Sequence, residues 1–153
     1  MDIERRTLPE QHYLYVHREC EYGPQIGEAM GSAFGEVYSF NAEHGIKPLS
    51  MPMTVYMEMD PSILRFRGGC LVTPEDAAKA TGNIKAATLP AGDVMATTHV
   101  GPYERMNETH KALWSHMEAE GIPCAMPIWE IYVDDPERTD PSAVRTEIYR
   151  TVG

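Results

Sequence analysis

The strongest constraint on this chain is that it repeats itself. Thr7-Leu8-Pro9 recurs as Thr88-Leu89-Pro90, Gly23-Pro24 as Gly101-Pro102 and Gly45-Ile46 as Gly121-Ile122. Met51-Pro52 recurs as Met126-Pro127, and Asp60-Pro61 as Asp135-Pro136. The offsets fall in one direction, 81, 78, 76, 75 and 75, as expected if a second copy has lost a few loop residues. A repeat of roughly 75–80 residues is too long for a solenoid unit and matches half of a small domain. The expectation is one domain over residues 1–153, made of two tandem copies at 5–72 and 83–153. Two such halves meet at a pseudo-two-fold seam, and seams of that kind are frequent ligand sites.

Each copy reads as strand, helix, strand, strand. In the first, His12 to His17 alternates around Leu14 and Val16 as a half-buried strand. Gly23-Pro24 opens a helix whose apolar stripe is Ile26, Met30, Ala33, Phe34, Val37 and Tyr38, and Gly45 ends it. Met53 to Met59 and a segment starting at Ile63 follow as strands, with Asp60-Pro61 as the turn. The second copy repeats the plan with strands at 94–100, 128–133 and 144–152. Its helical stripe is Tyr103, Met106, His110, Leu113, Trp114 and Met117, stopped by Gly121. Between the copies, Thr73 to Gly82 is a linker and Asn83 to Thr88 an edge strand. The predicted fold class is therefore α+β, an antiparallel sheet carrying two helices with a cleft between the halves.

Gly27, Gly31 and Gly35 lie four apart on one face of the first helix. Each costs roughly 0.5–1 kcal/mol relative to Ala in a helix interior, so something needs the room. It is either close packing against the second helix or a flat floor for a planar ligand.

Positions where the copies differ are the functional suspects. Aligning Met51-Pro52 with Met126-Pro127 sets Met53, Val55 and Met57 against Ile128, Glu130 and Tyr132. Glu130 then stands where the first copy has valine, on a strand whose other face is also apolar (Trp129, Ile131, Val133). A carboxylate so placed must stay protonated, meet a cation or accept strong hydrogen bonds. Pairing with Arg145 or Arg150 of the last strand, or facing water at the sheet rim, is the structural alternative.

Charge narrows the ligand. With 23 acidic against 13 basic residues, the net charge of −10 argues against direct nucleic-acid binding and favours a cationic ligand or partner. No apolar run is long enough to span a bilayer. The first residues lack the apolar core of a signal peptide. Three cysteines, far apart and without a CxxC spacing, fit reduced thiols in a cytoplasmic protein. His110 and His116 do not share a helix face, and His12 and His17 point to opposite strand faces, so neither a metal nor a cofactor is expected.

His99-Val100-Gly101-Pro102-Tyr103 before a helix, Pro127-Ile-Trp-Glu-Ile-Tyr132, Asp135-Pro136 and Arg145-Thr146-Glu147-Ile148 together resemble the GyrI-like small-molecule-binding family. This is the effector-binding domain found behind AraC- and MerR-type DNA-binding modules and also as stand-alone proteins. The second copy carries most of the resemblance; the first departs from it with Gln25 after Gly23-Pro24. The resemblance implies a cleft in which Glu130 faces lipophilic cations of the multidrug type, with Tyr132 on the same strand face. Tyr13, Tyr15, Tyr56, Tyr149, Met53 and Met57 are candidate wall residues by strand position and composition.

Three functions compete. The first is a stand-alone binding protein for amphipathic, cationic or aromatic small molecules. The second, implied by stand-alone relatives, is hydrolysis of strained cyclopropane-containing natural products with Glu130 as general acid or base. The third is inhibition of a protein partner such as gyrase. Residues alone do not decide whether the chain is an enzyme.

Overall fold

Two residues, Pro9 and Glu10, separate the strand at one edge of the sheet from a strand at its far side, and that shortness sets the fold. The computed structural model describes residues 1–153. In chain order it contains β1 (Ile3–Leu8), β2 (Gln11–Cys20), α1 (Gln25–Glu43), β3 (Met53–Tyr56) and β4 (Leu64–Val72). After these come α2 (Pro74–Ala77), β5 (Lys85–Leu89) and β6 (Gly92–Val100). A 3-10 turn (Tyr103–Arg105), α3 (Met106–Ala119), β7 (Cys124–Tyr132) and β8 (Arg145–Val152) complete the chain. The eight strands form one antiparallel sheet in the order β1-β6-β8-β7-β3-β4-β2-β5.

In a flat sheet, β1 and β2 would lie six strand spacings apart, about 29 Å at ~4.8 Å per strand. Three backbone steps from Leu8 to Gln11 reach at most about 11 Å. The same holds for β5 and β6, joined through Pro90 and Ala91. The sheet must therefore curl until its edges approach each other. The packing agrees: one cluster unites Leu8 of β1 and Leu89 of β5 with Trp129, Met53, Val55 and Tyr149 from the middle strands. The repeated Thr-Leu-Pro triplets are the two corners, and their leucines plug the interior of the curl.

Read inward from its two edges, the sheet runs β1-β6-β8-β7 and β5-β2-β4-β3, the same order once β1–β4 are set against β5–β8, with the β7–β3 pair at the centre. The helices lie on the outer face. α1 packs on β2 and β4, burying Ala33, Val37 and Phe40 against Leu14, Val16 and Phe66. α3 packs on β6 and buries Leu113 and Met117 against Met95 and Ile148. Each ends on a glycine in the left-handed region, Gly45 (φ 64°) and Gly121 (φ 69°), which a side chain there would strain. No helix is long and apolar enough to cross a membrane.

Four features differ from expectation. β1 was not anticipated, and β3 stops at Tyr56 rather than at Met59. The linker 73–82 contains a helical turn, α2, capped by the Thr73 hydroxyl, which accepts from the Asp76 N–H at 3.1 Å. The matching of Val55 with Glu130 also fails. β3 and β7 pair Thr54 with Glu130 and Val55 with Trp129, so Met53 and Val55 face the interior of the curl with Trp129. The Met-Pro pairs mislead because Met51-Pro52 precedes β3 whereas Met126-Pro127 lies within β7, at an irregularity between Ala125 and Ile128. An offset of 76, that of the two Gly-Ile pairs, preserves the strand face and aligns Thr54 with Glu130 and Tyr56 with Tyr132.

The curl predicts unequal costs along the edge strand β5. Leu89→Ala should lower unfolding free energy by about 2–5 kcal/mol, because Leu89 is fully enclosed. Exposed Lys85→Ala should cost less than about 0.5 kcal/mol. Urea unfolding of both variants checks this, and similar midpoints would contradict an edge leucine buried inside the sheet.

Candidate functional site

α1 and α3 cover the two flanks of the sheet and leave its centre open. Over β7 and β3 lies a cavity of about 1040 Å³. Ile26, Gly27, Met30, Gly31 and Phe34 of α1 form one wall, and Met106, Asn107, His110, Lys111 and Trp114 of α3 form the other. Tyr56, Ile128, Glu130, Tyr132 and Arg150 form the floor, with Tyr22, Met51, Met59, Tyr103 and Asp134-Asp135-Pro136 around the mouth. Several rim side chains are large, apolar and exposed, Trp114 to 52% and Met59 to 57%. Apolar surface held open to solvent in this way is characteristic of a binding site.

Glu130 is 5% exposed at the centre of the floor. Its Oε1 accepts from the Tyr132 hydroxyl at 2.6 Å and lies 3.4 Å from that of Tyr56; its Oε2 accepts from His110 Nε2 at 2.5 Å. The Tyr132 oxygen also lies 3.0 Å from Thr54 Oγ1. Of the outcomes open to a buried carboxylate, the resting protein uses hydrogen bonds. Burial first, and the neighbouring Glu130 charge second, push the phenol pKa values of Tyr56 and Tyr132 well above the usual 10. Both phenols thus remain protonated donors toward the carboxylate. The arginines considered as partners are elsewhere: Arg145 forks onto Asp134 with Nε and Nη2 each at 2.9 Å, and Arg150 makes no ion pair.

Aromatic rings extend from this centre toward the mouth. Tyr132 sits 5.7 Å from Phe34 and 5.8 Å, edge on, from Tyr103. Burial first, then the charges of Asp135, Asp134 and Glu130, raises the Tyr103 phenol as well. His99, although next to Gly101-Pro102, is structural. Its Nε2 donates to the Pro102 carbonyl at 3.0 Å, which leaves Nδ1 to accept from the Thr109 hydroxyl at 2.6 Å. That clamp ties the end of β6 to the start of α3 and so fixes where His110 points. No three His, Cys, Asp or Glu side chains are grouped to hold a metal ion.

The structure brings together three of the expected site residues, Glu130, Tyr132 and Tyr56. It does not bring Tyr13, Tyr15, Tyr149 or Met53 to the cavity, because these pack inside the curl on the opposite face, where Tyr149 stacks on Trp129 at 5.3 Å. Met57 lies past the end of β3, exposed, and does not line the cavity. His110 was considered only as a metal ligand, yet its place in the apolar stripe of α3 already pointed it inward. The glycines are not there for close helix packing: a Cβ at Gly27, Gly31 or Gly35 would meet nothing within 4 Å. Gly27 and Gly31 face the cavity, whereas Gly35 lies beyond it.

Known structures share this architecture. The C-terminal domain of EcmrR superposes with a TM-score of 0.77 at 19% identity, over 99% of this chain and 97% of that one. SAV2435 bound to tetraphenylphosphonium gives 0.68 at 15%, over 100% and 94%. A hydrolase encoded by lin2189 from Listeria innocua gives 0.66 at 19%, over 99% and 91%. At these identities the likeness is one of fold. No curated protein sequence matches the chain. The family model described as the GyrI-like small molecule binding domain matches residues 1–152, and the chain belongs to that family.

Proposed function

We propose that the cavity binds bulky, lipophilic aromatic cations and that Glu130 supplies the counter-charge. The observation that carries this reading is a carboxylate 5% exposed at the floor of a largely apolar cavity. Magnitudes favour the carboxylate as the selector of charge. A cation about 6 Å away gains roughly 3 kcal/mol at an effective dielectric of about 20. Each ring among Tyr132, Tyr103 and Phe34 adds about 0.5–2 kcal/mol by cation–π attraction. The rings admit many shapes, while the carboxylate favours cations over neutral or anionic analogues of the same shape. The tetraphenylphosphonium complex of SAV2435 supports a ligand of this class, as does the net charge of −10.

A second reading rests on the His110–Glu130–Tyr132 contacts. A carboxylate between an imidazole and a phenol can take a proton from water as the water oxygen bonds to a cyclopropane carbon. The C–C bond that breaks passes its electron pair to a conjugated carbonyl of the substrate, whose oxygen is then protonated by a phenol of the site. The fold shared with a Listeria innocua hydrolase supports testing it.

Calorimetric titration with tetraphenylphosphonium and with neutral triphenylphosphine oxide tests the first reading. Wild type should prefer the cation, and Glu130→Gln should weaken the cation by about 1.5–3 kcal/mol while leaving the neutral compound nearly unchanged. Equal losses for both, or none, would sink the counter-charge role. Steady loss of a cyclopropane-containing substrate on incubation, abolished by the same substitution, would establish the hydrolase.

The helix glycines provide an independent check. Gly27→Ala with Gly31→Ala should raise unfolding stability by roughly 0.5–1 kcal/mol per site, since both methyl groups enter open space. The same pair should weaken tetraphenylphosphonium by about tenfold or more by filling the cavity wall. A variant that is more stable and binds equally well would remove α1 from the site.

A further inference from the structure

Arg150 is the arginine without an acceptor. Seven of the nine arginines lie within 4.0 Å of a carboxylate. Arg67 instead donates to the Tyr13 hydroxyl and covers the Tyr15 ring. Arg150 makes neither kind of contact, in a chain with 23 acidic side chains, and its Nε is buried with no hydrogen-bond partner. Desolvating a guanidinium nitrogen without an acceptor is costly, and no side chain of this protein supplies one.

The register shows where that group would sit. Arg150 pairs with Ile128 across β7–β8, and Glu130 pairs with Ile148. The two charged residues are therefore diagonal neighbours on the cavity floor, about 7–8 Å apart at their backbones. Long side chains at that separation ordinarily find each other. Here Glu130 is held away by His110, Tyr132 and Tyr56, so both charges stay available to one ligand. Lys111 of α3 lines the same cavity and also has no carboxylate within 4.0 Å.

We propose that the cavity is built for an amphoteric aromatic ligand, whose cationic part faces Glu130 and whose carboxylate is received by Arg150. This rests on the cation-binding reading and adds an anionic subsite to it. A purely cationic ligand leaves the Arg150 guanidinium unsatisfied, whereas a carboxylate accepts from it in the paired geometry that arginine favours.

Rhodamine B and its ethyl ester share one cationic xanthene and differ in a free carboxylate, so fluorescence anisotropy at neutral pH can separate the two subsites. Wild type should bind the acid about tenfold or more tightly than the ester. Arg150→Gln should abolish that preference, bringing the ratio of the two affinities to within about twofold of one. Arg150→Lys, which keeps the charge without the fork, should retain part of the preference and serves if Arg150→Gln fails to fold. Equal affinities in wild type, or a preference that survives loss of the guanidinium, would overturn the subsite. If Glu130→Gln weakens both dyes while Arg150→Gln leaves their ratio intact, this inference falls and the cation reading stands. If Glu130→Gln changes neither dye while Arg150→Gln erases the preference, the anionic subsite stands and the cation reading falls. Binding of neither dye would overturn both.

Discussion

Closure of the sheet at two short corners is the constraint from which the rest follows. Pro9-Glu10 and Pro90-Ala91 join strands that a flat sheet would hold about 29 Å apart, so the sheet has an inside and an outside. The inside is filled by Trp129, Tyr149, Tyr13 and the corner leucines. Both helices are thereby confined to the outside, one on each flank. A helix with its side chains is about 10–12 Å across, too narrow for two of them to roof eight curved strands. The uncovered strip is the β7–β3 pair at the centre of the strand order. The cavity is thus a consequence of the closure, and Glu130 lies in it because β7 is a central strand.

The elements were legible where one physical signal acted alone. The apolar stripes of α1 and α3, with Gly45 and Gly121 just beyond them, gave both helices and their ends. β1 was not legible, because Ile3 to Leu8 is an exposed edge strand in which only the terminal residues are partly covered, and no alternation marks it. The identities of the wall residues were illegible for the opposite reason. The strands that carry these residues are covered on both faces, one by the helices or the cavity and one inside the curl. An apolar residue on such a strand is equally at home on either side. Tyr13, Tyr15, Tyr149 and Met53 therefore looked like wall residues while belonging to the interior.

Glu130 was legible because a carboxylate on a doubly buried strand has few innocuous explanations. Its true counterpart was not, since a one-residue error in matching the copies exchanges the faces of a strand. The face-preserving match puts Thr54 at the position of Glu130 and Tyr56 at that of Tyr132. Two tyrosines from matched positions of β3 and β7 then flank a single carboxylate. The paired scaffold thus carries a carboxylate on β7 where β3 has Thr54.

That charge is satisfied without being neutralised by a neighbouring arginine. A carboxylate has about four acceptor directions, and the contacts from Tyr132, Tyr56 and His110 occupy three of them. Burying the group with fewer donors would cost several kcal/mol; binding an internal guanidinium would cancel its attraction for a ligand. Two phenols whose ionisation is suppressed by their surroundings give donors without bringing positive charge. They hold the carboxylate in one orientation before any ligand arrives, so little side-chain entropy remains to be lost on binding. Arg145 is kept at Asp134 and Arg150 at the far diagonal of the floor. Glu130 and Arg150 thus share one cavity without neutralising each other.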